Sequence, residues 1–300
     1  MNSTNHDITV LADYATVCGE NPLWHPLEKR MYWTDIPTGR IFCYDPVSGE
    51  HELYWQEQGR QVGGFTVQTD GTLLLFMDRC TIAVMRDGKI EKTVIEHLPD
   101  EIHTRFNDVI ADPEGRVFCG TMAVSAKGDR PGRLGRLYRL DRDGSIHKLL
   151  DGIGCSNGMG FTPDGRHLYY TDSPKREIYL FDYDRASGAL SNQRVFVNSL
   201  GEAGVPDGMT VDSAGDVWSA RWDGHCCTRY SPDGKEQERL HFPDSKKISS
   251  VAFGGADLLD MYFTTAGGDK KGDNGTAAGA LLRMRATVPG VAEFFSRITL

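Results

Sequence analysis

No stretch of the chain approaches the ~20 consecutive apolar residues that a membrane-spanning helix needs. The opening Met1-Asn2-Ser3-Thr4-Asn5-His6-Asp7 has neither the basic start nor the apolar stretch of a secretory signal. Cysteine is sparse: Cys18, Cys43, Cys80, Cys119, Cys155, Cys226 and Cys227 are odd in number and form no C-x-x-C pair. Thiols in a reducing, cytoplasmic setting are the simpler reading. The sequons Asn2-Ser3-Thr4 and Asn274-Gly275-Thr276 then carry no weight. Basic residues are outnumbered, 33 Lys and Arg against 42 Asp and Glu, for a net charge of −9. That balance argues against a nucleic-acid partner, whose phosphates demand clustered Lys and Arg. Helical periodicity is also missing, so there are no amphipathic crossovers for a parallel sheet.

What the chain does contain is a repeat. The turn-like segments headed by His25, Gln68, Asp112, Thr162, Asp212 and Gly254 recur at intervals of about 42–50 residues, close to the period of propeller blades. Each turn is followed by a short strand rich in aromatic and branched residues: Met31–Asp35, Thr72–Phe76, Val117–Thr121, His167–Asp172, Val217–Trp222 and Met261–Thr265. A second strand follows in every unit, and most of these run into a further Gly-containing turn. The expected fold is all-β, a six-bladed β-propeller of four-stranded antiparallel blades with a central metal-binding channel, forming one domain over residues 1–300. Ring closure is expected from an N-terminal strand near Ile8–Leu11 pairing with the last blade near Val291–Ser296, leaving no long exposed edge. Met122–Leu134 and Gly267–Gly279 break the regular spacing, and the first is a candidate lid.

Five residues before each turn head stand Glu20, Gly63, Asn107, Asn157, Asp207 and Ser249. A propeller gathers the starts of its innermost strands at one mouth of the channel, so these scattered residues converge. Glu20 and Asp207 supply carboxylates and Asn107 and Asn157 amide oxygens, a donor set suited to a hard divalent cation. The competing role for Asx residues beside glycine is turn formation. Arg105 alternates to the same side of its strand as Asn107; a surface ion pair with Glu101 or Asp100 is its alternative. His103 reads as a surface residue. Gly154-Cys155-Ser156-Asn157-Gly158 matches G-x-S-x-G but lacks the strand-to-helix context that a nucleophile elbow needs. Cys155 has no identifiable His partner to activate it.

The segments Gly19-Glu20-Asn21-Pro22-Leu23-Trp24, Arg105-Phe106-Asn107-Asp108, Gly120-Thr121-Met122, Ser156-Asn157-Gly158 and Pro206-Asp207-Gly208-Met209 together resemble the regucalcin/gluconolactonase group of six-bladed propellers, in family order and spacing. The resemblance implies one divalent metal ion (Ca²⁺, Mg²⁺, Mn²⁺ or Zn²⁺) held by Glu20, Asn157 and Asp207. It implies Arg105 and Asn107 as substrate contacts and Asp207 as the proton-transfer group. The implied reaction is hydrolysis of a small-molecule sugar lactone to its aldonic acid. Some members carry a substrate-binding Glu in the loop after Gly-Thr-Met, where this chain has Ser125. Two rivals remain open: an aryl-esterase or phosphotriesterase on the same scaffold, and a non-catalytic Ca²⁺-binding propeller.

Overall fold

The computed structural model describes residues 7–124 and 134–299. Among them are six four-stranded antiparallel sheets. Their innermost strands are Gly19–His25, Val62–Val67, Thr104–Ala111, Ser156–Phe161, Val205–Val211 and Ile248–Gly254, in blades 1 to 6. These strands touch in cyclic order, and the last returns to the first, which makes the ring. The second and third strands of each blade begin within a residue or two of the positions expected from the turn and aromatic pattern. Inner strands are buried along nearly their whole length, whereas outer strands such as Ala189–Asn198 are mostly exposed. The core therefore lies between blades. One cluster joins Leu74, Phe76 and Ile82 of blade 2 to Phe106, Val117 and Leu140 of blade 3. Trp24 of blade 1 stacks against Tyr262 of blade 6 at 6.5 Å. Each fully buried side chain of this size contributes about 1.5–3 kcal/mol.

Ring closure differs from the expectation in one respect. The N-terminal strand Thr9–Asp13 is the outer strand of blade 6, but its partner is Ala280–Arg285. The segment around 291–296 instead crosses beneath the ring. Val291 N donates to Val211 O, Ser296 N to Val67 O (2.8 Å) and Arg297 N to Gly115 O (2.8 Å). Phe294 meets Phe161 edge-on. These contacts fall at the ends of the inner strands of blades 2 to 5, so the C-terminal segment floors the channel opposite the strand starts. Its apolar side chains explain the diversion: Phe294 and Phe295 pack against the cores of different blades, which a single edge strand cannot reach.

Gly267–Gly279 is not a plain loop but holds a short 3₁₀ turn, Gly268–Lys270, and one helical turn, Lys271–Asn274. The central part of the candidate lid, including Ser125, lies outside the described residues; Met122 and Ala123 end the second strand of blade 3. All seven cysteines are free. Among the described residues no helix is long and apolar enough to cross a membrane.

Candidate active site

Every inner strand carries one extra residue near its start. The register with the second strand shifts between Glu20 and Leu23, Val62 and Gly64, Phe106 and Val109, Asn157 and Met159, Pro206 and Met209, and Ile248 and Ser250. A bulge bends its strand and re-aims the side chains beside it. Here six bulges coincide with the six positions singled out by the repeat. In blade 1 the bulge is made by Asn21, at φ +47°, whose Oδ1 accepts from Phe65 N at 2.7 Å. Gly63 brings no side chain, because a Cβ there would lie 2.0 Å from Phe106 O. Ser249 donates to Gly19 O at 2.5 Å and ties blade 6 to blade 1. Glu20, Asn107, Asn157 and Asp207 remain, each less than a tenth exposed.

Blades 1 and 4 face each other across a ring of six, so Glu20 and Asn157 approach from opposite sides. Asp207 comes from the blade next to Asn157, and the two inner strands are in close contact there. A Cβ on Gly158 would sit 2.5 Å from Asp207 O and 2.7 Å from Met209 N. The two asparagines differ. Asn107 Oδ1 accepts from Arg105 Nη1 at 2.6 Å, and its Nδ2 donates to Ser156 O at 2.8 Å. Asn157 Nδ2 donates to Ser173 Oγ at 3.1 Å, while its buried Oδ1 has no partner among the described residues. An orphaned buried oxygen of this kind calls for a ligand.

The electrostatics agree. Burial, and then the charge of Asp108, pushes the Glu20 carboxyl up to about 8. Burial raises Asp207 well above the ordinary range, reinforced by Glu20 and Asp108 and opposed by Asn157 and Arg105. Asp108 itself is raised to about 7 by burial. Below it, Glu293 of the floor segment is pushed to about 7 by burial and Asp108. Several acidic groups thus share one poorly solvated channel with Arg105 as the cation that acts on Glu20 and Asp207. Among the described residues no three His, Cys, Asp or Glu side chains form a metal cluster. The oxygen set that fits a hard cation is therefore two carboxylates and the free amide oxygen of Asn157.

Other expectations resolve plainly. Arg105 does not pair with Glu101: that carboxylate is fully buried and held by Arg136, by Tyr138 Oη (2.7 Å) and by Thr104. His103 is exposed. Ser156 Oγ points away from the channel toward Gly120, where a Cβ would meet it at 1.6 Å. Burial and the charge of Asp207 push the Cys155 thiol up to about 12, leaving no thiolate nucleophile. Asp108, Glu293 and the clamps Asp35 and Asp172 were missed. Asp35 Oδ1 accepts from Cys18 N at 2.9 Å, and Asp172 Oδ1 from Gly154 N at 3.1 Å. They fix the entry to the inner strands of blades 1 and 4. The matching Thr-Asp ends of the two second strands, Thr34-Asp35 and Thr171-Asp172, were the available signal.

The profile of the SMP-30/gluconolactonase/LRE-like region matches residues 18–267, which contain all of these mouth residues. The chain belongs to this family. Among its SMP-30/gluconolactonase/LRE-like relatives is pentonolactonase XacC of Haloferax volcanii, 46% identical over 98% of this chain and 99% of that protein. A 6-deoxy-6-sulfogluconolactonase of Pseudomonas putida is 30% identical over 96% and 98%. The crystal structure of regucalcin from Agrobacterium tumefaciens, described as a calcium-binding protein, superposes with a TM-score of 0.85. It is 25% identical, with 96% of this chain and 97% of that one covered.

Proposed function

We propose that this chain is a metal-dependent hydrolase that opens a sugar lactone to its aldonic acid. The observation that carries the reading is the unpartnered Asn157 Oδ1 on a ring of strand starts that also carries the buried carboxylates Glu20 and Asp207, with the Arg105–Asn107 pair alongside. The names of its two lactonase relatives support the substrate class. The calcium-binding regucalcin supports a divalent ion.

Glu20, Asn157 Oδ1 and Asp207 are the residues that would hold the ion. Bound there, it supplies Lewis acidity toward the lactone carbonyl and lowers the pKa of water. Arg105 orients the ring hydroxyls or ring oxygen through its remaining N–H groups, reducing the orientational cost of reaction. Asn107 holds Arg105 in place and presents its amide to the same face. Asp207 accepts a proton from the attacking water as oxygen bonds to the carbonyl carbon. The ring C–O bond then breaks, and Asp207 returns the proton to the departing alkoxide. The product is the open hydroxy acid.

The test is acid release, followed with a pH indicator, from chelator-stripped protein refilled with one divalent ion at a time. The substrates are a panel of aldono-lactones beside aryl esters and phosphotriesters. Ion-restored opening of one or two lactones is the expected result. Turnover confined to the aryl esters or phosphotriesters, or silence on every substrate while an ion binds, would overturn the reading.

A further inference from the structure

We propose that Cys155 is a positioning residue: with Asp207 it holds the Asn157 amide in one orientation and so presents Asn157 Oδ1 to the cation site. The inference rests on the functional reading above only in taking Asn157 as a ligand.

The two site asparagines are oriented by different means. Asn107 lies between a pure acceptor, Ser156 O at 2.8 Å, and a pure donor, Arg105 Nη1 at 2.6 Å, so only one orientation satisfies it. Asn157 has acceptors but no fixed donor. Its Nδ2 faces Ser173 Oγ at 3.1 Å and Cys155 Sγ at 3.9 Å, and it also lowers the pKa of the Asp207 carboxyl by hydrogen bonding. A hydroxyl and a thiol can each donate or accept. Of the three, Ser173 and Cys155 would therefore tolerate a flipped amide, with Oδ1 turned into the wall and Nδ2 turned toward the channel, whereas the Asp207 carboxylate favours the observed orientation. A flipped amide presents hydrogens where a cation needs an oxygen.

Cys155 adds to that preference. Its Sγ donates to Met122 Sδ at 3.5 Å, and a thioether can only accept. With the S–H proton committed to Met122, the sulfur is left to accept. It accepts from both amides, Asn157 Nδ2 and Asn107 Nδ2 at 3.8 Å. Sulfur is a weak acceptor, but the choice is between only two orientations, so a small preference is enough. The relay runs from Met122 of blade 3 through Cys155 to Asn157 of blade 4. It turns the ambiguous pattern G-C-S-N-G into an outer support of the candidate ion site, a role in which the thiol does no chemistry.

Loss of an outer-shell partner typically costs on the order of 10–100-fold in metal affinity, and a weak sulfur contact belongs at the low end. The experiment is Mn²⁺ titration of chelator-stripped protein, with free Mn²⁺ read by electron paramagnetic resonance and unfolding midpoints recorded for the same ion-free samples. C155A is expected to bind Mn²⁺ about tenfold more weakly, and C155S, which restores an acceptor, to recover most of that loss. M122L keeps the volume but removes the acceptor for the thiol proton, and is expected to weaken binding by about three- to tenfold. It also serves as the readout if C155A folds poorly. Affinities of C155A and M122L within twofold of the unmodified protein overturn the inference, as does equal weakening of C155A and C155S. Mn²⁺ binding without lactone opening removes the functional reading alone and leaves the relay to be decided by these affinities. An unmodified protein that binds no Mn²⁺ removes both.

Discussion

Gly158 and Asp207 meet backbone to backbone: a Cβ on residue 158 would lie 2.5 Å from the Asp207 carbonyl oxygen. This contact locks the bulge carrying Asn157 onto the bulge carrying Asp207. Replacing Gly158 by Ala forces the two strands apart at the site itself. Overpacking of this kind costs about 1–3 kcal/mol. The expected outcome for Gly158→Ala is a lowered unfolding midpoint together with a loss of ion affinity larger than the loss of stability accounts for. Calorimetry and metal titration on the same sample check it; unchanged values of both would show that the strand contact does not set the site.

Asp207→Asn keeps the shape of the side chain but removes the proton acceptor and one ionic ligand. General-base groups contribute about 10²–10⁴ in rate, so turnover is expected to fall by at least about a thousandfold. Ion-free Asp207→Asn should be no less stable than the unmodified chain, because it removes a carboxyl whose charged form burial and Glu20 disfavour. Near-normal turnover in folded Asp207→Asn protein would sink the assigned role.

Arg105→Ala should act mainly on KM, rising about 10- to 100-fold, the range for losing a charged hydrogen bond. Arg105→Lys should recover little, since a point charge cannot serve Asn107 and substrate at fixed angles. Initial rates across lactone concentration separate KM from kcat. A fall confined to kcat would place Arg105 in the proton-transfer step instead.

The raised carboxyls make a prediction about pH. Folded Glu20 titrates near 8 against an ordinary 4.5, and Asp108 near 7 against 3.8. Between those values the native state holds more protons than the unfolded chain, so ion-free stability falls as pH rises. It is fully present below about pH 4, declines through about pH 8 and then levels. A divalent ion should offset the decline, since it binds the ionised form. Unfolding midpoints from pH 5 to 8.5, with chelator and with Mn²⁺, should diverge with rising pH; parallel curves would contradict the shared buried charge.

Ser156→Ala tests the serine motif directly. The hydroxyl is buried behind the strand against Gly120 and beside Tyr170, so its loss should cost about 0.5–1.5 kcal/mol of stability while activity stays within about twofold. A large loss in a folded variant would revive the nucleophile reading.

Much of this arrangement was legible from local signals. Strand length, two-residue alternation and turn glycines act over a few neighbours, so the six-fold repeat and the second and third strands of each blade were readable. A fixed step back from each turn also located Glu20, Asn107, Asn157 and Asp207, since strand starts in a propeller share one mouth. What a repeat cannot carry is the identity of a partner from another blade. The repeat alone did not distinguish Asn107 from Asn157, which only the family resemblance set apart as substrate contact and metal ligand; the fold supplies the physical difference by putting Arg105 on one amide oxygen and leaving the other free. The sequence did not show Glu101 buried against Arg136, Asp108 and Glu293 in one channel, or the C-terminal segment crossing the floor instead of pairing at the edge. Local propensity determined the blades, while contacts between residues distant in the chain decided which of their polar groups remain available to a ligand.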